Sequence, residues 1–336
     1  MALRQPLPQE EQTSSLNDKQ SRQFNKKKPV HPKPKKKKQK WNFKRTWQLH
    51  VLVLPAVIVA LFFQYAPMGG LIMAFQDYKP WLGFLNSPWV GFQHFKTMFE
   101  YDDARQVIWN TLVISLLKII FQVAVPLMFA LLLNEVRKMA FKKSIQTIIY
   151  LPHFLSWVIL GGILMDMLSP DGGLINQMLG FIGIDPIFFL GDNTWFRPTI
   201  IISDIWKETG FNTIVFLAAV TAVNPVLYEA AIMDGANRWK QTLYITIPAM
   251  LPIIIVVATL SLGNILNAGF DQIFNLYNPL VYQTGDIIDT YVYRVGLING
   301  DFSYGTAVGL FKSVISFILV VIGYRLAYKY ADYRIF

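Results

Sequence analysis

The 336-residue chain contains no cysteine, which excludes disulfides, thiolate metal sites and a cysteine nucleophile. Its four histidines, His31, His50, His94 and His153, are scattered and lack the short spacing of a metal-binding set. No G-x-x-x-x-G-K-[ST] run occurs, so the chain has no P-loop of its own with which to bind ATP. Charge is scarce as well. Charged residues make up 15% of the chain, against roughly 25% in soluble domains. Apolar residues fill the difference, at 53% overall with 15% aromatic. Such a composition calls for a bilayer as its surroundings.

The formal net charge of +10 is confined to one end. Residues 1–48 hold 14 Lys and Arg against three acids, whereas the remainder holds 17 against 18. The excess sits in Lys26-Lys27-Lys28 and Lys35 to Lys38, interrupted by Pro29, Pro32 and Pro34. Like charges and prolines prevent a packed core, so 1–48 reads as a disordered, basic, cytoplasmic tail facing anionic membrane lipid. No aromatic residues interleave with the basic runs to suggest a nucleic-acid partner.

Apolar stretches long enough to cross about 30 Å of hydrocarbon lie near 49–75, 108–134, 145–168, 198–222, 248–272 and 305–329. The expected fold is therefore an all-α integral membrane protein of six transmembrane helices, with a transmembrane domain over 49–336. Lys and Arg set the orientation. Arg137, Lys138, Lys142 and Lys143 follow the second span, and Arg325, Lys329 and Arg334 follow the sixth. The 169–197 loop has only Arg197 and the 273–304 loop only Arg294. Both termini and the 226–252 loop are thus expected in the cytoplasm. The leader is too long and the first span too extended for a cleaved signal peptide.

Between Glu229 and Pro252 the chain reads E-A-A-I-M-D-G-A-N-R-W-K-Q-T-L-Y-I-T-I-P-A-M-L-P. Pro225 suits a helix start, and Val226 to Met233 is rich in helix formers. Asp234-Gly235 breaks that helix, because Gly adopts the left-handed backbone that a helix end requires. A second helical segment fits Arg238 to Tyr244, and Pro248 and Pro252 mark entry into the next span. A short helix, a sharp turn and a re-entry at the membrane surface form a rigid element able to enter a groove on a partner.

Polar residues inside spans are costly and should face a cavity or a partner. Asn264, Asn267, Asp271 and Asn275 recur at three, four and four residues, which predicts one helix face in span five. Span four offers Asp204, Glu208 and Asn212 at the same spacing, with Trp206 and Lys207 alongside. Amides, carboxylates and ammonium groups beside aromatic rings suit a hydroxyl-rich ligand, so Asn264, Asn267, Asp271, Asp204, Trp206, Lys207 and Asn212 are the candidate substrate path. The same residues could instead hold helices together. No nucleophile accompanies the carboxylates, so no catalytic residue and no metal site is assigned. Buried carboxylates would also serve a proton-coupled secondary sugar transporter, although such a carrier has no need of the 226–252 loop.

The loop resembles the EAA loop of ABC importer permeases, whose pattern is E-A-A, two residues, D-G-A, eight residues, then I-x-[LI]-P. Glu229, Ala230, Ala231, Asp234, Gly235, Ala236, Ile245, Ile247 and Pro248 fall in register. Thr242 stands where many members carry Phe, with Leu243 beside it. Further stretches, among them Y-A-P-M-G-G (65–70), Y-L-P-H-F-L-S-W-V (150–158) and L-S-P-D-G-G (168–173), are similar to the type I, LplB-like carbohydrate branch from about residue 45 onward. The resemblance implies a multi-pass permease of the bacterial cytoplasmic membrane that pairs with a second, homologous permease. It also implies two ATPase subunits, an extracytoplasmic solute-binding protein and an oligosaccharide substrate, often uronate-containing. Glu229, Ala230, Ala231, Asp234, Gly235 and Ala236 would form the coupling helix docking on an ATPase. ATP and Mg would be bound there, with no cofactor on this chain.

Overall fold

In the computed structural model, residues 43–263 and 265–331 are described. All but the last six residues of the basic tail, and also Asn264, fall outside them. The described residues are helical apart from turns and loops, with one isolated bridge pairing Gln76 and Trp89. The chain divides at Gln64/Tyr65. The first unit carries helix α1, Phe43–Ala60, with Pro55 inside it, and the larger unit holds everything from Tyr65 onward.

Two long helices form the centre of that larger unit. Helix α2 spans Asp102–Glu135, with Asp102 and Asp103 in its first turn, where carboxylates favour the positive end of the helix dipole. The chain then runs through α3, Met139–Tyr150, a 3-10 turn at Leu151–Phe154, and α4, Trp157–Leu168. Helix α5 spans Asn193–Thr221 and is capped by Asp192, whose side chain accepts from the Thr194 amide at 2.6 Å. That bond holds the Asp192 carboxyl below the usual carboxylate range. Contacts pair Asn110 with Arg197, Lys118 with Asp204, and Ala130 with Phe216, so α2 and α5 run parallel and in register. Helices α6, Pro225–Met233, and α7, Arg238–Gln241, lead through a π turn into α8, Ile247–Leu262. After a non-helical stretch come α9, Phe270–Leu276, a run of short helices, and α10, Phe302–Ala331.

Three apolar clusters join these elements. Ile114, Leu160, Leu164, Phe196, Ile200 and Leu276 meet in the half where α5 begins. Ala130, Phe216, Val220 and Met250 meet in the half where it ends. Met98, Val107, Ile288, Tyr291, Tyr304 and Val308 tie α10 to the start of α2.

The structure corrects two of the expected spans. The 145–168 stretch is not one straight helix: Met139–Phe154 and Trp157–Leu168 meet at 106°. Pro152 lacks an amide donor for continued helix, and Ser156 caps the new one by accepting from the Ile159 amide. The 248–272 stretch is not continuous either, because α8 stops at Leu262 and Gly269 turns left-handed at φ +94°. Among the described residues, four helical runs are long and apolar enough to cross a membrane, and six are when each bent pair counts as one.

Where α3 meets α5, no side chain separates them. A Cβ on Gly210 would lie 2.3 Å from the Ile149 carbonyl oxygen and 2.7 Å from the Tyr150 Cα. Backbone cannot yield there as a flexible side chain can. Gly210→Ala should therefore destabilise the protein by about 2 kcal/mol or more, read as a melting temperature lowered by several degrees. Unchanged melting would mean that the two helices part without cost.

Candidate functional site: a surface loop and buried polar clusters

The 226–252 loop is built from local signals. Asn224 caps α6 by accepting from the Val226 amide at 3.0 Å, and Pro225 takes the first helical position, where no amide is needed. At the other end Gly235 has φ +75°. Its amide donates to the Ile232 carbonyl at 3.0 Å, and the Ala236 amide donates to Ala231 at 2.9 Å. This pair of bonds is the Schellman closure of a helix, and it needs a left-handed residue where Gly235 stands. Asn237 then caps α7 by accepting from the Lys240 amide at 2.9 Å. Two cross-links fold the loop on itself: Gln241 Nε2 donates to the Ala236 carbonyl, and the Tyr228 and Thr246 hydroxyls bond at 2.9 Å.

The outer surface of this hairpin is open. Glu229, Ala230, Asp234 and Gly235 are exposed and Ala231 and Ala236 half-buried. Ile232, Met233 and Trp239 project apolar side chains, Met233 with 87% of its surface exposed. Thr242 donates its hydroxyl to the Arg238 carbonyl, while Leu243 beside it remains exposed. Arg238 Nε lies 4.0 Å from Glu135, joining the loop to the end of α2.

Asp204, on α5, is buried and pairs with Lys118 of α2 at 3.3 Å, while Gln122 Nε2 donates to its other oxygen at 2.5 Å. Lys118 also donates to the Ala268 carbonyl at 2.7 Å and to the Gln272 side-chain oxygen. Gln272 in turn donates to the Ile200 carbonyl at 2.6 Å and to Ser203 Oγ at 2.8 Å. Removing one member of such a buried pair typically costs about 3–5 kcal/mol, because the other charge is left uncompensated. A cavity of about 120 Å³ adjoins the pair, lined by Ser115, Lys118, Gln122, Asp204, Ser261 and Asn267 among others.

The expected single face of Asn264, Asn267, Asp271 and Asn275 is not present. Asn264 lies outside the described residues, Asn267 is in the loop after α8, and Asp271 is in the first turn of α9. Asn267 and Asp204 line one cavity, which Asp271, Trp206, Lys207 and Asn212 do not line. Trp206 is 45% exposed and Asn212 is half-buried. Lys207 is buried and committed elsewhere: it donates to the His153 carbonyl at 2.8 Å, approaches Glu208 at 3.6 Å and lies over the Trp157 ring. Glu208 also meets His153 Nδ1 at 3.0 Å, and the His153 ring stacks on Phe211. These contacts clamp the bend after α3 onto α5.

Lys312 and Ser316 stand out in the sequence as polar residues of span six, but the partners in the next two pairs could not be read from it. Lys312 of α10 bonds Asp289 at 2.5 Å beside a cavity of about 780 Å³, whose lining includes Leu71, Gly305, Thr306 and Ser316. Near the start of α2, Arg294 pairs with Asp286 and lies over the Tyr282 and Tyr291 rings. Burial pushes the Asp286 carboxyl above its usual range, against the opposing bonds from Thr290 and Arg294. The acids of both pairs lie in one short, polar-looking segment, 286–294, whose charges reveal no partner by spacing alone.

Residues 122–334 match the family described as binding-protein-dependent transport system inner membrane component. The chain is 47% identical over 288 residues to the polygalacturonan/rhamnogalacturonan transport system permease protein YteP of Bacillus subtilis, covering 86% of this chain and 90% of that one. It is 46% identical over 293 residues to protein LplB of the same organism, covering 87% and 92%. A solved bacterial ABC transporter involved in the import of the acidic polysaccharide alginate has a matching chain at 43% identity and a TM-score of 0.79, covering 86% of this chain and 97% of that one. The chain belongs to the inner-membrane components of binding-protein-dependent transport systems, as a permease of the carbohydrate-importing ABC class.

Proposed function

We propose that this permease carries uronate-containing oligosaccharides inward, coupled through the 226–252 loop to a separate ATPase. The observation that carries the coupling role is the loop's geometry. A capped helix closed by Gly235 offers Ile232 and Met233 outward, and Trp239 of α7 is exposed beside it. A stiff helix transmits displacement, and because α6 follows α5 within a few residues and α7 runs through a π turn into α8, displacement of the hairpin can reach both spans. The proposed assembly has a second permease, two ATPase subunits that bind ATP and Mg, and an extracytoplasmic solute-binding protein. This chain needs no cofactor and performs no covalent step.

The acidic character of the sugar is supported by relatives described as transporting polygalacturonan or alginate. Charge inside the spans does not supply that argument. Lys118, Lys207 and Lys312 each have a carboxylate partner, in Asp204, Glu208 and Asp289. Within the path, Asn267 and Asp204 are favoured, since both border one polar cavity. Lys207 is withdrawn from it, since it does not border that cavity and bonds the His153 carbonyl instead. Positive charge after α2 and in the last turns of α10, at Arg325 and Lys329, favours a cytoplasmic loop and C-terminus.

Reconstitution of the full assembly in liposomes tests this reading. Uptake of a short oligogalacturonate should require ATP and the ATPase subunits, stop with vanadate, and exceed uptake of a neutral oligosaccharide of equal length. Equal uptake of the neutral sugar would remove the uronate assignment, and uptake driven by a proton gradient without ATP would remove the ATPase. For the path, Asn267→Leu should lower transport per assembled complex at unchanged melting temperature, because each lost hydrogen bond to a sugar hydroxyl costs about 1–3 kcal/mol. Lowered melting with normal transport per complex would make Asn267 a structural residue instead.

A further inference from the structure

The break in span five leaves backbone without helix partners between Leu262 and Phe270. Irregular backbone at membrane depth persists only where protein or a cavity satisfies it. Here one ammonium satisfies the Ala268 carbonyl. Lys118 reaches across from α2 to the Ala268 carbonyl, the Gln272 side chain at the first turns of α9, and Asp204 on α5. Gly269 admits it: a Cβ at that position would come within 3.0 Å of the Lys118 nitrogen. Gln272, fully buried, extends the bonding to the Ile200 carbonyl and Ser203. By contrast, α8 shares no hydrogen bond with this cluster; it packs through apolar residues such as Met250 against Phe216 and Val220, nearer the loop.

Polar bonding through Lys118 therefore ties the far half of span five to spans two and four, beyond the apolar packing of Ile273 and Leu276, whereas the near half meets the same two spans through apolar packing, which can slide. We propose that Lys118 is a positioning residue for transport, with Asp204 and Gln272 orienting it. Its role is to make α9 move with α2 and α5 as one body while α8 pivots at the non-helical residues 265–269. Displacement of the docking loop reaches α8 directly, so this pivot lets α8 swing without pulling α9 away from the cavity beside Asn267. The inference rests on the chain being a permease; Lys118 and Asp204 also border the cavity beside Asn267, so Gln272, which does not, is the residue that separates positioning from sugar contact.

The test uses the assembled transporter in liposomes, with melting temperature and initial uptake rate measured on the same preparations. Lys118→Met alone should lower both, since it leaves Asp204 uncompensated. Adding Asp204→Leu should recover part of the melting, because no uncompensated carboxylate then remains, while the Ala268 carbonyl and Gln272 still lack the ammonium. Uptake in the double variant should stay about ten-fold low, the scale at which a displaced coupling element acts. Recovery of both melting and uptake would overturn the proposal, reducing the pair to structural support. Gln272→Met keeps the ion pair and alters no residue that a sugar could touch, so it decides the matter even where the other variants fail to assemble. Its uptake should fall at near-normal melting, with the Michaelis constant for the sugar unchanged. Normal uptake in Gln272→Met, or a loss confined to the Michaelis constant, would overturn the positioning role.

Discussion

Hydrocarbon offers no water to a charge or to a carbonyl left over at a helix end, so every polar group placed in a span must be matched by another. Much of this protein's architecture follows from that constraint. Lys118 matches Asp204, Lys207 matches Glu208, and Lys312 matches Asp289, each pair joining elements distant in sequence or, for Lys207, adding a bond to the His153 carbonyl. The broken helices fall at these clusters. Span three bends where His153 meets Glu208, and span five unwinds where Lys118 meets Ala268. Charges that look like a ligand site on paper are largely spent on holding irregular backbone in place.

The loop between α5 and α8 was legible in the sequence because its determinants are local. Asn224 and Pro225 start a helix, Gly235 ends it, and Asn237 starts the next, with each decision made within four residues. The breaks in spans three and five were not legible as such. An apolar run from 248 to 272 with amides at helical spacing satisfies the periodicity of a helix, and nothing local in it outweighs that pattern. Gly263 and Gly269 permit a break without compelling one. What stabilises the break is an ammonium 150 residues away, in the bond from Lys118 to Ala268. Likewise Asp204 and Glu208 sit four residues apart on one helix, yet they turn to α2 and to His153 respectively. Spacing places residues on a face but does not say which neighbour occupies it.

The two ends of α5 have different characters. At its start, buried pairs such as Asp286 with Arg294 and amides such as Asn110 tie loops into a closed surface. At its end lies a hairpin with apolar side chains, Ile232, Met233 and Trp239, that are exposed among the described residues. The parallel course of α2 and α5 connects these ends through two rigid helices, with the Lys118 cluster between them. A displacement applied at the hairpin therefore has a continuous, packed route toward the polar cavity.

The central claim is that this hairpin is where an ATPase docks. Because the chain has no cysteine, Met233→Cys introduces its only thiol, at a side chain 87% exposed. Phe181→Cys supplies the matching control toward the opposite end, at a residue 89% exposed. The measurement is the rate of maleimide labelling of each thiol, with and without the ATPase subunits assembled. The account predicts that assembly slows labelling at position 233 severely and leaves position 181 unchanged. Equal labelling at 233 in both preparations would contradict it.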